Sequence, residues 1–198
     1  MIKAVLFDYG GVLSPGGKNF RQVLRNLLKV DALRDNTEQL VQDLGRGVIS
    51  SQDFINRLNK DYQTNIDVEE IAGTHNFPRN EAVYSLAANL KKQGIKVGIL
   101  SNTSDLNAKR LGDEGFYDGF DPIILSFNEN LAKPDIELYH RAITRVDAKA
   151  NEVLFIDDQE RFLVPARNLG MHVIQADSQE QIVRDTKALL KKENGLGI

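Results

Sequence analysis

Cysteine is absent from the 198-residue chain, which removes disulfides, thiolate nucleophiles and cysteine-bound zinc together and favours an intracellular setting. A surplus of one charge is missing too. Lys and Arg number 25 against 28 Asp and Glu, a formal net charge of -3, so no broad field recruits nucleic acid or an anionic membrane as the main partner. No apolar run reaches transmembrane length, and the first one, broken by Lys3 and ended by Asp8, is too short for a signal-peptide core. The expectation is a soluble cytoplasmic protein with no nucleic-acid or membrane partner, of unknown oligomeric state. What is present suits a globular fold: a hydrophobic fraction of 41% over this length supplies the core of one full-sized domain, or of one domain with a substantial insertion.

Five short β-rich runs stand out: IKAVLF from Ile2, IKVGIL from Ile95, IILS from Ile123, VLFI from Val153 and HVIQ from His172. Segments with helical spacing lie between the later ones, such as Ile136, Tyr139 and Ile143, or Leu163, Ala166 and Leu169. Alternating strand and helix predicts an α/β fold with a doubly wound, Rossmann-like parallel sheet. More than eighty residues separate the first run from the second, far more than one crossover helix requires. That interval reads as several short amphipathic helices. Phe20, Val23, Leu24, Leu27 and Leu28 share one stripe, and Ser50 with Asp53 and Asp67 with Glu70 are spaced as helix-start caps. Residues 14–79 are therefore expected to form a small helical insert over the end of the first strand, with 1–13 and 80–198 as the core domain.

The polar residues at the ends of the apolar runs carry the chemistry. Asp8 follows the first, Ser101 and Asn102 the second, Asp157 and Asp158 the fourth, and Lys133 precedes a helix. In a parallel sheet the carboxyl ends of the strands share one edge, so these residues converge on one crevice. Three carboxylates there would repel one another unless a cation joined them. Magnesium, a hard ion with oxygen ligands, suits such a cluster, and Lys133 adds positive charge. An ionised aspartate beside a metal can attack phosphorus and split one slow displacement into two faster steps. Each residue also has a plainer reading taken alone. Asp8 could be a turn residue, Lys133 a solvated pre-helix residue, Ser101 a cap for the helix beginning near Ser104, and the paired aspartates an acidic turn.

Taken in order, FDYGGVL, ILSNTS, AKPDIELYH and FIDDQERFLVPARNLGM resemble the four motifs of the haloacid dehalogenase-like hydrolases, over essentially the whole chain. The helical interval resembles the small cap inserted by one subgroup of that family. The resemblance implies Asp8 as nucleophile and magnesium held by Asp8, the Gly10 carbonyl, Asp157 and Asp158, with Asp157 acting through water. It further implies Ser101 and the Asn102 amide as holders of the phosphoryl oxygens. Lys133 would bridge nucleophile and phosphate. The implied activity is a phosphatase of a small phosphorylated metabolite.

One absence departs from the family pattern. Typical phosphatase members carry a second aspartate two residues after the nucleophile, as general acid and base, and here that position is Gly10. The loss is worth roughly 10² to 10⁴ in rate. Three explanations stand: an acidic leaving group such as the anomeric oxygen of a sugar 1-phosphate, since some members with FDxG openings resemble sugar-1-phosphatases; an acid supplied by the insert; or a weak or inactive phosphate-binding protein. A 2-haloacid dehalogenase also lacks that acid, but members of that branch do not keep the paired acids that stand here as Asp157 and Asp158. His75, His140 and His172 show no metal-ligand spacing; of the three only His75 falls where an insert returns to the core.

Overall fold

A computed structural model describes residues 1–16, 20–73 and 78–195. In chain order the elements are β1 (Ala4–Phe7), α1 (Phe20–Leu28), α2 (Asp35–Gly45), α3 (Ser51–Tyr62), α4 (Val68–Gly73), α5 (Glu81–Lys92), β2 (Lys96–Ser101), α6 (Asp105–Asp113), β3 (Ile123–Leu125), α7 (Ser126–Glu129), α8 (Ile136–Arg145), β4 (Val153–Asp157), α9 (Glu160–Asn168), β5 (His172–Gln175) and α10 (Gln179–Asn194). All five expected runs are strands. They form one parallel sheet in the order β3-β2-β1-β4-β5.

Both β1 and β4 are buried at every position, because helices cover both faces of the sheet; this is why their sequences are continuous rather than alternating apolar runs. Alternation reappears in where the side chains go. Val5 and Phe7 join one apolar cluster with Leu86 and Leu90 of α5 and Ile182 of α10. Ala4 and Leu6 join the opposite one, with Leu138 and Tyr139 of α8 and Leu163 of α9. On α8 the buried stripe is Leu138, Tyr139 and Ala142, while Ile136 is 47% exposed. Ile136 opens the helix beside the loop that enters it, so its place in the expected stripe is not used.

The four helices α1 to α4 have an apolar cluster of their own, built on Leu24, Leu28, Leu40, Leu44, Phe54, Ile55 and Leu58. Both expected helix-start devices form. The Ser50 hydroxyl accepts the Asp53 amide at 3.0 Å, with the Asp53 carboxylate accepting the Ser50 amide in return. Asp67 and Glu70 exchange the same bonds at 3.0 and 2.7 Å. Asn80 ties together the exit from and the return to the sheet. Its amide donates to the Leu13 carbonyl at 2.9 Å, its side chain to the Val12 carbonyl at 3.0 Å, and its Oδ1 accepts Val83 N–H to start α5. The chain thus leaves and re-enters the core at one point. Among the described residues no helix is long and apolar enough to cross a membrane.

Candidate active site

The strand order places β1 between β2 and β4, where the chain that ran outward to β3 returns across the sheet. Such a reversal opens a crevice at the carboxyl ends of the strands. Asp8 directly follows β1, Ser101 ends β2 and Asp157 ends β4; pairing of Phe7 with Ile156 and with Ile99 sets Asp8 level with Asp157, with Ser101 one residue further along the same edge. Asp8, Asp157 and Asp158 each offer a carboxylate oxygen, and the three oxygens lie within 4.8 Å of one another.

Lys133 reaches into the same crevice from the loop before α8. Its side chain is almost wholly buried, with Nζ 2.6 Å from Asp157 Oδ2 and 3.0 Å from Asp8 Oδ1. The ammonium also lies 5.4 Å from the Phe155 ring centre and 5.0 Å from that of Phe162, where the ring faces favour a cation. Burial works against its charge, but the Asp8 and Asp157 carboxylates outweigh that cost and hold the Lys133 pKa above its ordinary value. Lys133 is no solvated pre-helix residue. Two of its three N–H groups are taken by carboxylates, which leaves one for a bound group.

The carboxylates are unequal. Asp8 Oδ1 accepts the Tyr9 amide at 2.7 Å as well as Lys133, while Oδ2 takes neither bond. Asp157 is fully buried and accepts Gln159 N–H at 2.8 Å. Its burial, opposed by Lys133 and reinforced by the nearby Asp8, pushes its pKa up to about 6. Burial and then Asp8 also raise Asp158. Asp158 Oδ1 is buried with no hydrogen-bond partner, and a buried carboxylate oxygen left bare carries a desolvation cost unless a ligand meets it.

The two glycines after Tyr9 differ in kind. Gly11 has φ +78°, and a Cβ there would stand 2.6 Å from Asp158 Cγ; only glycine lets this turn approach that carboxylate. A Cβ on Gly10 would meet nothing within 4 Å, and its backbone is outside the left-handed region. Space does not forbid an acid at position 10.

Ser101 is buried as the last residue of β2, and the hydroxyl capping α6 belongs to Ser104. The capping alternative for Ser101 therefore falls away. Asn102 does something the sequence did not suggest: its side chain accepts Lys133 N–H at 2.8 Å and donates to the Lys133 carbonyl at 3.0 Å. Both hydrogen-bonding groups of the Lys133 main chain are thus held by the residue that follows β2. Next to it, Ser126 Oγ accepts Thr103 N–H at 2.9 Å and donates to the Thr103 carbonyl at 3.1 Å. His140 is exposed on α8 and His172 half-buried on β5, neither of them in the carboxylate cluster; His75 lies outside the described residues.

Residues 2–170 match the family model of the haloacid dehalogenase-like hydrolases. Among curated relatives, a sesquiterpene phosphatase of Aspergillus oryzae is 29% identical over 85% of this chain and 87% of its own length. A HAD-like hydrolase of Porphyromonas gingivalis superposes with a TM-score of 0.81 at 23% identity, covering 96% of this chain and 98% of the other. A HAD-family enzyme of Bacteroides thetaiotaomicron, solved with magnesium and inorganic phosphate, gives 0.71 at 21% identity over 90% of this chain and 96% of that one.

Proposed function

Since the chain belongs to the haloacid dehalogenase-like hydrolases, we propose that it is a cytoplasmic, magnesium-dependent phosphatase of a small phosphorylated metabolite, acting through an aspartyl-phosphate on Asp8. The observation that carries this reading is the Asp8, Asp157 and Asp158 cluster with Lys133 bonded between its first two members. The donor set fits a hard divalent ion: three carboxylates on one point, one oxygen of which, Asp158 Oδ1, is buried and bare. Asp8, Asp157, Asp158 and the Gly10 carbonyl would hold magnesium, which when bound supplies charge neutralisation beside the phosphoryl group.

The chain's own residues account for the remaining work. Two donors pin Asp8 Oδ1, fixing the carboxylate plane so that Oδ2 is oriented for in-line attack on phosphorus. The third N–H of Lys133 reaches a phosphoryl oxygen, placing positive charge where negative charge accumulates. Ser101 and the Asn102 amide hold the other phosphoryl oxygens. The residues of 14–79 act as a cap that closes the crevice, as in the small-capped subgroup. No carboxyl stands at Gly10 to protonate the departing oxygen, so the substrates served best are those whose leaving oxygen departs with little help, such as sugar 1-phosphates.

The test is phosphate release, with magnesium, from a panel of anomeric, aryl, alkyl and terpenyl monophosphates, the last prompted by the Aspergillus oryzae relative. Release from at least one, abolished by a chelator and restored by magnesium, supports the reading. Release from none, with tight binding of phosphorylated compounds, makes this a binding protein; release indifferent to chelation removes the role given to Asp157 and Asp158.

A further inference from the structure

The turn between α2 and α3, together with the first residue of α3, touches the core at three places. Arg46, which ends α2, makes a two-pronged ion pair with Asp135, its Nη2 3.0 Å from Oδ1 and its Nη1 on Oδ2. Gly47, at φ +68°, lies so close to the Phe127 carbonyl that a Cβ would stand 2.1 Å from its oxygen. Ser51 donates its amide to the Asp105 carboxylate at 3.1 and 3.2 Å, and its hydroxyl as well. The three core segments engaged are not a random sample of the surface. Asp135 closes the loop that carries Lys133 and also accepts Ala132 N–H at 3.0 Å. Phe127 follows Ser126, which holds both main-chain groups of Thr103. Asp105 opens α6 just beyond Ser101 and Asn102.

From this arrangement we infer that Arg46 is a positioning residue: by holding Asp135, it fixes the 132–135 loop and so sets the place of Lys133 between Asp8 and Asp157. The loop has two anchors. Asn102, just after β2, grips the Lys133 main chain, and Asp135 bonds Ala132 N–H on one side and the insert on the other. Without the guanidinium, Asp135 keeps only the local bond, and the loop is tied to the insert no longer. Arginine suits the task because its planar fork meets both oxygens of one carboxylate, fixing orientation as well as distance. Docking of the insert and the position of the site's cation become one event.

The kinetic part rests on the phosphatase reading; the structural part does not. Hydrogen exchange on the full chain therefore comes first. Arg46→Ala should speed amide exchange in peptides spanning 126–138 while α9 and α10 stay as protected as in wild type. Unchanged exchange in that segment overturns the inference whether or not the protein hydrolyses anything. With magnesium and an aryl phosphate, kcat should fall roughly 10- to 100-fold, the scale of a misplaced catalytic group, with KM changed less than kcat. Arg46→Lys should restore part of the rate through a single bond to Asp135. Asp135→Asn keeps an acceptor for Ala132 but loses the ion pair, so it should match Arg46→Ala, and the double variant should be no slower than either single one. Additive losses, or a lower thermal midpoint with kcat intact, would make the pair a plain surface tie and refute the positioning role.

Discussion

Replacing Gly10 with aspartate tests why the site lacks a second acid. Nothing lies within 4 Å of a Cβ at that position, and the backbone there is open to any residue, so Gly10→Asp should fold. General acid catalysis contributes roughly 10² to 10⁴ in rate, or about 3 to 6 kcal/mol of barrier at ~1.4 kcal/mol per tenfold. That help matters only where the leaving oxygen is basic. A carboxyl without supporting neighbours should recover only part of that effect, so glycerol phosphate hydrolysis should rise on the order of tenfold or more, while that of p-nitrophenyl phosphate moves less than about threefold. The neighbouring variant is the contrast: Gly11→Ala puts a Cβ 2.6 Å from Asp158 Cγ at φ +78°, and should cost about 1 to 2 kcal/mol in backbone strain alone and lower both rates. The assay is steady-state phosphate release on both substrates, with circular dichroism to confirm folding. A folded Gly10→Asp that leaves the alkyl-to-aryl ratio unchanged would show that the missing carboxyl at position 10 does not limit the rate and would locate the proton donor elsewhere.

Asp8→Asn keeps the shape of the side chain and its bond from Tyr9, so phosphate release should fall to background with the thermal midpoint near wild type; a sizeable residual rate would exclude Asp8 as nucleophile. Lys133→Met leaves Asp8 and Asp157 buried without their shared cation and should lower unfolding free energy by about 3 to 5 kcal/mol in addition to abolishing activity, as a urea titration would show. The Asp157 pKa, raised from 3.8 to about 6 by burial, means the folded protein binds that proton more tightly than the unfolded chain. Its contribution to stability is therefore present below 3.8 and lost as pH rises through about 6, on the order of 3 kcal/mol at full extent. In chelator, the wild type minus Asp157→Asn difference in stability should fall over that window. Asp158 acts in the same direction, and Asp135, held low by its bond from Arg46, acts oppositely and only at the acid end; a flat difference would show that Asp157 titrates elsewhere.

Much of the site is legible in the sequence because a parallel sheet turns order along the chain into proximity. Once IKAVLF, IKVGIL and VLFI are read as strands, Asp8, Ser101 and Asp157 must share an edge. The helix-start pairs Ser50–Asp53 and Asp67–Glu70 are legible for a different reason: they act within one turn. What escapes is contact between loops. Asn102 holding the Lys133 main chain spans 31 residues and Arg46 meeting Asp135 spans 89, and no local pattern announces either. Asp135 and Arg46 carry no signal in the sequence that pairs them. The GG pair hides a real difference, since Gly11 is required by the nearness of Asp158, a residue 147 positions away, while Gly10 is not. Ile136 fails as a stripe residue because periodicity cannot tell the first exposed turn of a helix from its packed middle.

On the proposed mechanism Asp8 becomes phosphorylated during turnover. Quenching a reaction with p-nitrophenyl phosphate and magnesium, reducing with borohydride and sequencing the peptides by mass spectrometry reads this directly, because an acyl phosphate on aspartate is reduced to homoserine. Homoserine is expected at position 8, absent when magnesium is chelated and absent in Asp8→Asn. Turnover with Asp8 unmodified, or homoserine at another aspartate, would contradict the mechanism.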